Sequence, residues 1–129
     1  MRSAAWAAVA DVGCVLVFVV IGRASHSKGE SFPGLASTSW PFLAGLAVGW
    51  LAGRAWRRPL AIVPAGVAAW LGTVAAGMVL RVIAGQGTAL PFIVVALVFL
   101  GLFVVGWRLA ARQAAKFLPG PWRHHKVSA

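Results

Sequence analysis

The chain has almost no acid. Its 129 residues include only two carboxylates, Asp11 and Glu30, against 12 Lys and Arg, for a formal net charge of +10. Cys14 is the single cysteine, which excludes an intrachain disulfide and a cysteine-based zinc site. No nucleophile–base pair, metal-ligand cluster or phosphate-cradling glycine loop can be assembled from the motifs, so no enzyme, cofactor or metal is expected. Polar sequence is scarce too. With residues 23–38 the one long polar connection, no soluble domain remains to carry a recognition helix, and the positive excess reads as a membrane-side bias, not a nucleic-acid footprint.

Apolar residues fill the space left. The chain is 60% hydrophobic with mean hydropathy +0.86, whereas soluble domains are roughly 45–50% apolar. A transmembrane helix needs about 20 mostly apolar residues, and four runs qualify, at about 4–22, 40–56, 60–82 and 90–110. The expected fold is an all-α integral membrane bundle of four transmembrane helices, made of two helical hairpins over residues 1–118. A basic cytoplasmic tail, 119–129, follows. Its adjacent His124 and His125 lack a third ligand nearby and are read as solvated.

The first run carries Asp11 in its interior. An acid there costs roughly 2.5 kcal/mol or more to insert, so it must have a partner, a proton or water. That acid, together with the missing small-x-small cleavage pattern after Gly22, argues for a retained helix and against a signal peptide. Ala4, Ala7, Ala8, Asp11, Cys14, Val15 and Phe18 share one narrow face that should pack inward. Val9, Val12, Leu16 and Val20 should meet lipid or bulkier neighbours.

The polar connection holds Arg23, His26, Lys28 and Glu30, with a turn expected at Pro33-Gly34. Arg23, His26 and Glu30 are candidates for a polar cap at the outer end. Thr38 or Ser39 is expected to cap the second helix, with Pro41 in its first turn. Gly45, Gly49 and Gly53 then recur every four residues, a ridge that lets another backbone approach closely, either inside one copy or between two copies of a homo-oligomer. Arg54, Arg57 and Arg58 end the span, and Pro59 begins the next. In the third run Gly66, Trp70, Thr73, Gly77 and Arg81 lie on one face, so Arg81 either points inward or reaches the headgroups. Thr88 with Pro91 should start the fourth helix, whose large residues make it the most lipid-exposed. Arg108, Arg112 and Lys116 continue it as a basic stripe.

Counting charge by side gives an orientation. With the amino terminus in the cytoplasm, that side holds Arg2, Arg54, Arg57, Arg58, Arg108, Arg112, Lys116, Arg123 and Lys126, and the other holds Arg23, Lys28 and Arg81. Nine against three places both termini inside. At 1.5 Å per residue Asp11 is then roughly 8 to 10 Å in depth from Arg108 and Arg54 and roughly twice that from Arg81. Arg108 or Arg54 is therefore the expected partner, and without either the acid should be protonated. A weak internal repeat relates Ala4-Ala5-Trp6 with Gly13 to Ala68-Ala69-Trp70 with Gly77, which, if it reflects structure, means two hairpins of one orientation.

The ordered set Asp11, Phe18, Gly22-Arg23 with Ser25-His26, Trp40-Pro41-Phe42, Gly49-Trp50, Gly77-Met78 with Arg81, and Gly106-Trp107-Arg108 resembles the family of prokaryotic membrane proteins labelled domain of unknown function 3054. The resemblance runs from Asp11 to Arg108. It implies a small integral protein of the prokaryotic plasma membrane with no assigned activity, and it supplies no catalytic residue. Two functions are compatible with these residues: a membrane interaction or scaffold protein, in contact with the lipid bilayer and without nucleic acid, or a small proton- or ion-coupled transporter using Asp11.

Overall fold

A computed structural model describes residues 2–25 and 32–117. Helix α1 covers Arg2–Ser25 and α2 covers Phe32–Gly53; one wide turn, Ile62–Gly66, leads into α3, Val67–Ile83. Helix α4, Leu90–Leu100, passes through a second wide turn, Gly101–Val105, into α5, Gly106–Phe117. Four stretches are long and apolar enough to cross a membrane: Ser3–Arg23, Pro33–Gly53, Ile62–Ile83 and Leu90–Phe117. The all-α four-helix bundle expected from the apolar runs is the observed architecture, and no strand occurs among the described residues. Helices answer the constraint that hydrocarbon imposes, because every backbone N–H and C=O there must be satisfied within its own segment.

The tightest contact is between α2 and α3. A Cβ added at Gly45 would lie 2.8 Å from the Gly72 carbonyl oxygen, and one at Gly53 would lie 2.5 Å from the Ala68 Cβ. At Gly49 it would run into the Ala68 carbonyl oxygen, while a Cβ at Gly72 would sit 2.5 Å from the Gly49 Cα. The glycine ridge is thus filled by α3 of the same chain, so a second copy would have to use another face. Thr73 is buried and turns its hydroxyl back to donate to the Ala69 carbonyl at 2.6 Å. Gly77 makes room for the ring of Phe42.

Phe18 joins α1 to this pair. Its ring meets Phe42 edge-on at 5.4 Å and leans on Phe92 and Phe99, in a core with Val15, Leu46, Val74, Leu100 and Val104. On α1, Ala7, Asp11, Val15 and Phe18 are buried, while Val9, Leu16 and Val20 are exposed. The last span is the least buried of the four, with Val94, Val95, Val98 and Leu102 facing outward.

Three local readings are corrected. Helix α2 starts at Phe32, not near Trp40, so Pro33-Gly34 lies in its first turn and Thr38, Ser39 and Pro41 lie inside it. Proline is tolerated early in a helix, but an interior proline leaves the carbonyl four residues earlier without its N–H. That carbonyl belongs to Ser37, and the Gln86 side chain donates to it at 3.0 Å. The Thr38 hydroxyl accepts from Arg23 at 3.0 Å. Partners from α1 and from the turn between α3 and α4 therefore hold in helical form a segment that reads locally as a cap. At α4 the capping position is Ala89, with no side-chain cap, and Thr88 precedes it. Finally, Arg58 and Pro59 do not abut the next helix; residues 54–61 form a non-helical connection before the wide turn.

Equivalent positions of the weak repeat occupy different surroundings. Trp6 is 60% exposed while Trp70 donates to the Leu97 carbonyl at 2.9 Å, and Gly13 faces open space where Gly77 faces Phe42. His26, Lys28, Glu30 and the tail from residue 118 lie outside the described residues.

Candidate functional site: a buried aspartate held by an arginine and two tryptophans

Asp11 lies on the small face of α1, one turn from Ala7 and one turn from Val15, and all three are fully buried. Small neighbours on α1 let side chains from two other helices reach its carboxylate. Trp50 comes from the last turn of α2, which is closed by Ala55 donating its N–H to the Trp50 carbonyl at 3.0 Å and Arg54 donating to Leu51 at 3.4 Å. This pair of bonds is the Schellman arrangement, with Arg54 at the left-handed position, φ 49°. Trp107 and Arg108 come from the first turn of α5, directly after the wide turn.

Four donors converge on the carboxylate. Arg108 grips it with two parallel bonds, Nη1 to Oδ1 at 2.7 Å and Nη2 to Oδ2 at 2.8 Å. Trp107 Nε1 donates to Oδ1 at 2.8 Å and Trp50 Nε1 donates to Oδ2 at 2.8 Å. An ionised carboxylate offers about four lone-pair sites, so its accepting capacity is filled. Arg108 is equally committed. Its Nε donates to the Pro59 carbonyl at 2.8 Å and Nη1 also donates to the Val104 carbonyl at 3.0 Å. Its guanidinium carbon lies 4.5 Å from the Trp107 ring centre, and Trp6 meets that ring edge-on at 5.3 Å. Both charged residues are 0% exposed. The desolvation that makes a buried ion pair costly is offset here by the bidentate geometry and by the additional donors and acceptors around each charge. Among the described residues no buried side-chain nitrogen or oxygen lacks a partner.

Gly66 in the first wide turn is what admits the arginine stem, because a Cβ there would stand 3.0 Å from Arg108 Cδ. Gly101 plays a similar part in the second wide turn, where a Cβ would stand 2.9 Å from the Trp70 ring. A wide turn advances the helix differently from the regular 3.6-residue period, so the residues beyond it face directions the upstream pattern does not give. Arg108 accordingly turns into the bundle, and only Arg112 and Lys116 of the expected basic stripe are exposed.

The sequence matches the model of the family described as "Protein of unknown function (DUF3054)" over residues 8–111. The chain belongs to this family. No curated protein and no solved structure matches it. In this DUF3054 member the matched stretch contains all four groups of the network, Asp11, Trp50, Trp107 and Arg108.

Of the two arginines within reach of Asp11, the fold brings Arg108 to it and leaves Arg54 exposed at the end of α2. At the opposite end of the DUF3054 bundle, Arg81 folds over the Phe92 ring at 4.6 Å and the Phe42 ring at 5.8 Å. Its Nε and Nη2 donate to the Gly87 carbonyl at 2.9 and 2.6 Å, and Nη1 donates to Gln86 Oε1 at 2.9 Å. Arg23 reaches Thr38 one residue from where Gln86 reaches Ser37, so α1, α2 and the α3–α4 turn are tied together there. His26 and Glu30, the other cap candidates, lie outside the described residues.

The tryptophans were the functional groups that spacing did not reveal. A signal existed, since an indole N–H inside a bundle needs an acceptor and Asp11 is the one acid inside a span.

Proposed function

We propose that the protein is an interaction or scaffold component of a membrane, without enzymatic activity, and that Asp11 and Arg108 are a fixed structural pair. The observation that carries this reading is the filled coordination of the carboxylate: two donors on each oxygen at 2.7 to 2.8 Å, at zero exposure. A proton-carrying acid must exchange its proton with water during a cycle, and here protonation would displace a charge-assisted donor that is itself buried. The close α2–α3 contact is a further support, because backbones packed through glycine leave little room for one helix to slide past another. The charge count supports a prokaryotic plasma membrane topology with both termini cytoplasmic, and on that reading the Asp11 network lies toward the cytoplasmic face.

Proton flux in reconstituted vesicles under an imposed pH gradient tests the proposal. Equal flux through wild type and Asp11→Asn is the expected result. A wild-type flux that Asp11→Asn abolishes while remaining folded would instead make the protein a proton-coupled transporter.

A further inference from the structure

Beyond the Asp11 network the same end of the bundle holds a cavity of about 310 Å³, lined by Ser3, Arg58, Pro59, Leu60, Ala61 and Arg112. Three elements build it: the first turn of α1, the connection between α2 and the wide turn, and α5. We propose that this cavity binds a phosphate-bearing anion, and that its occupant is the headgroup phosphate of an anionic phospholipid. The assignment holds whatever role Asp11 has.

Charge balance is the first reason. The side chains of Arg58 and Arg112 are exposed and make no hydrogen bond or ion pair with the described residues. Of the two carboxylates in the chain, Asp11 is sealed by four donors. Among the described residues, therefore, no carboxylate is left to serve as counter-ion for these two guanidiniums, which suits them to an anion.

The lining supplies the second reason. The Pro59 carbonyl, a wall residue's acceptor, is already engaged by Arg108 Nε at 2.8 Å, and Ser3 brings a hydroxyl that can donate. Guanidinium forks match phosphate oxygens in geometry as well as charge. Basic pockets between membrane helices are suited to phospholipid headgroups. The third reason favours a lipid over free phosphate. Leu60 gives the cavity an apolar wall, and exposed Trp6 and Leu109 lie about one helical turn from Ser3 and Arg112, where aromatic and aliphatic groups meet the boundary between headgroups and acyl chains.

The test is native mass spectrometry of the full chain in neutral detergent, titrated with phosphatidylglycerol, phosphatidylcholine or inorganic phosphate. Wild type should retain phosphatidylglycerol preferentially, and Arg58→Gln with Arg112→Gln should weaken that retention by roughly tenfold or more. The control, Arg54→Gln with Lys116→Gln, removes the same charge from exposed positions outside the cavity and should retain lipid as wild type does. Melting curves of both doubles verify that the fold is intact. Equal loss in the two doubles would reduce the effect to diffuse surface charge and overturn the site. Binding of inorganic phosphate without selectivity for phosphatidylglycerol would overturn the lipid assignment.

Discussion

Trp107 and Arg108 are neighbours in sequence and donate to the same oxygen of Asp11, the indole Nε1 at 2.8 Å and the guanidinium Nη1 at 2.7 Å. Successive residues on a helix point about 100° apart, so such convergence needs a long side chain to bend back. Arg108 does this by lying against the Trp107 ring. The cation is thereby positioned by the residue with which it shares its target.

Removing one member of this pair should be worse than removing both. Asp11→Asn leaves Arg108 buried without its counter-charge and should cost about 3–5 kcal/mol, whereas adding Arg108→Met should recover much of that loss. Unfolding of the two single variants and the double variant in detergent measures the coupling. Additive losses would show that the two residues contribute independently.

How far this network was legible in the sequence depends on which physical link is asked about. The length and polarity of the apolar runs specify four spans, and helical rise narrows the partner of Asp11 to Arg108 or Arg54. Choosing between them requires the wide turn at Gly101–Val105, whose change of phase no 3.6-residue pattern encodes. The early start of α2 was hidden for a different reason. Thr38 or Ser39 with Pro41 reads locally as a helix beginning, and tertiary donors, Gln86 to the Ser37 carbonyl and Arg23 to the Thr38 hydroxyl, hold the segment inside a helix. Trp50 and Trp107 stood in recognisable Gly-Trp motifs, but nothing local states what an indole N–H will meet.

Two glycines should respond oppositely to enlargement. Gly49→Leu would drive a side chain into the Ala68 backbone, and forcing α2 and α3 apart should cost at least the 1–3 kcal/mol or so typical of overpacking. Gly13 has nothing within 4 Å of an added Cβ, so Gly13→Ala should be neutral or stabilise by about 0.5–1 kcal/mol through helix propensity. Thermal melting in one detergent compares them, and equal melting points would remove the case for the ridge as the close contact.

Helices α2 and α3 end with the same bond pattern but different residues at the left-handed position. After α3 it is Gly85, φ 78°, with Gln86 donating to the Arg81 carbonyl at 2.7 Å; after α2 it is Arg54, φ 49°. A side chain in that conformation costs roughly 1–2 kcal/mol that glycine avoids. Arg54→Gly should therefore raise the melting point, since the exposed guanidinium has no carboxylate partner among the described residues. A lower melting point would mean that the Arg54 side chain contributes more than its backbone conformation costs.

Orientation is the remaining question, and charge decides what to expect. The α2–α3 connection carries Arg54, Arg57 and Arg58, while the α3–α4 turn at the other end of the bundle has no lysine or arginine between Arg81 and Arg108. Positive loops stay in the cytoplasm because translocating them is disfavoured. In a Cys14→Ala background, Ala84→Cys, at an exposed site beside the turn, should react with a membrane-impermeant maleimide on intact cells. Arg57→Cys should react only after permeabilisation. The difference should survive in either single variant, because each removes at most one of the nine charges that the count assigns to the cytoplasmic side. Labelling of Arg57→Cys from outside would invert the protein, and the Asp11–Arg108 network and the arginine-lined cavity would then lie toward the outer leaflet.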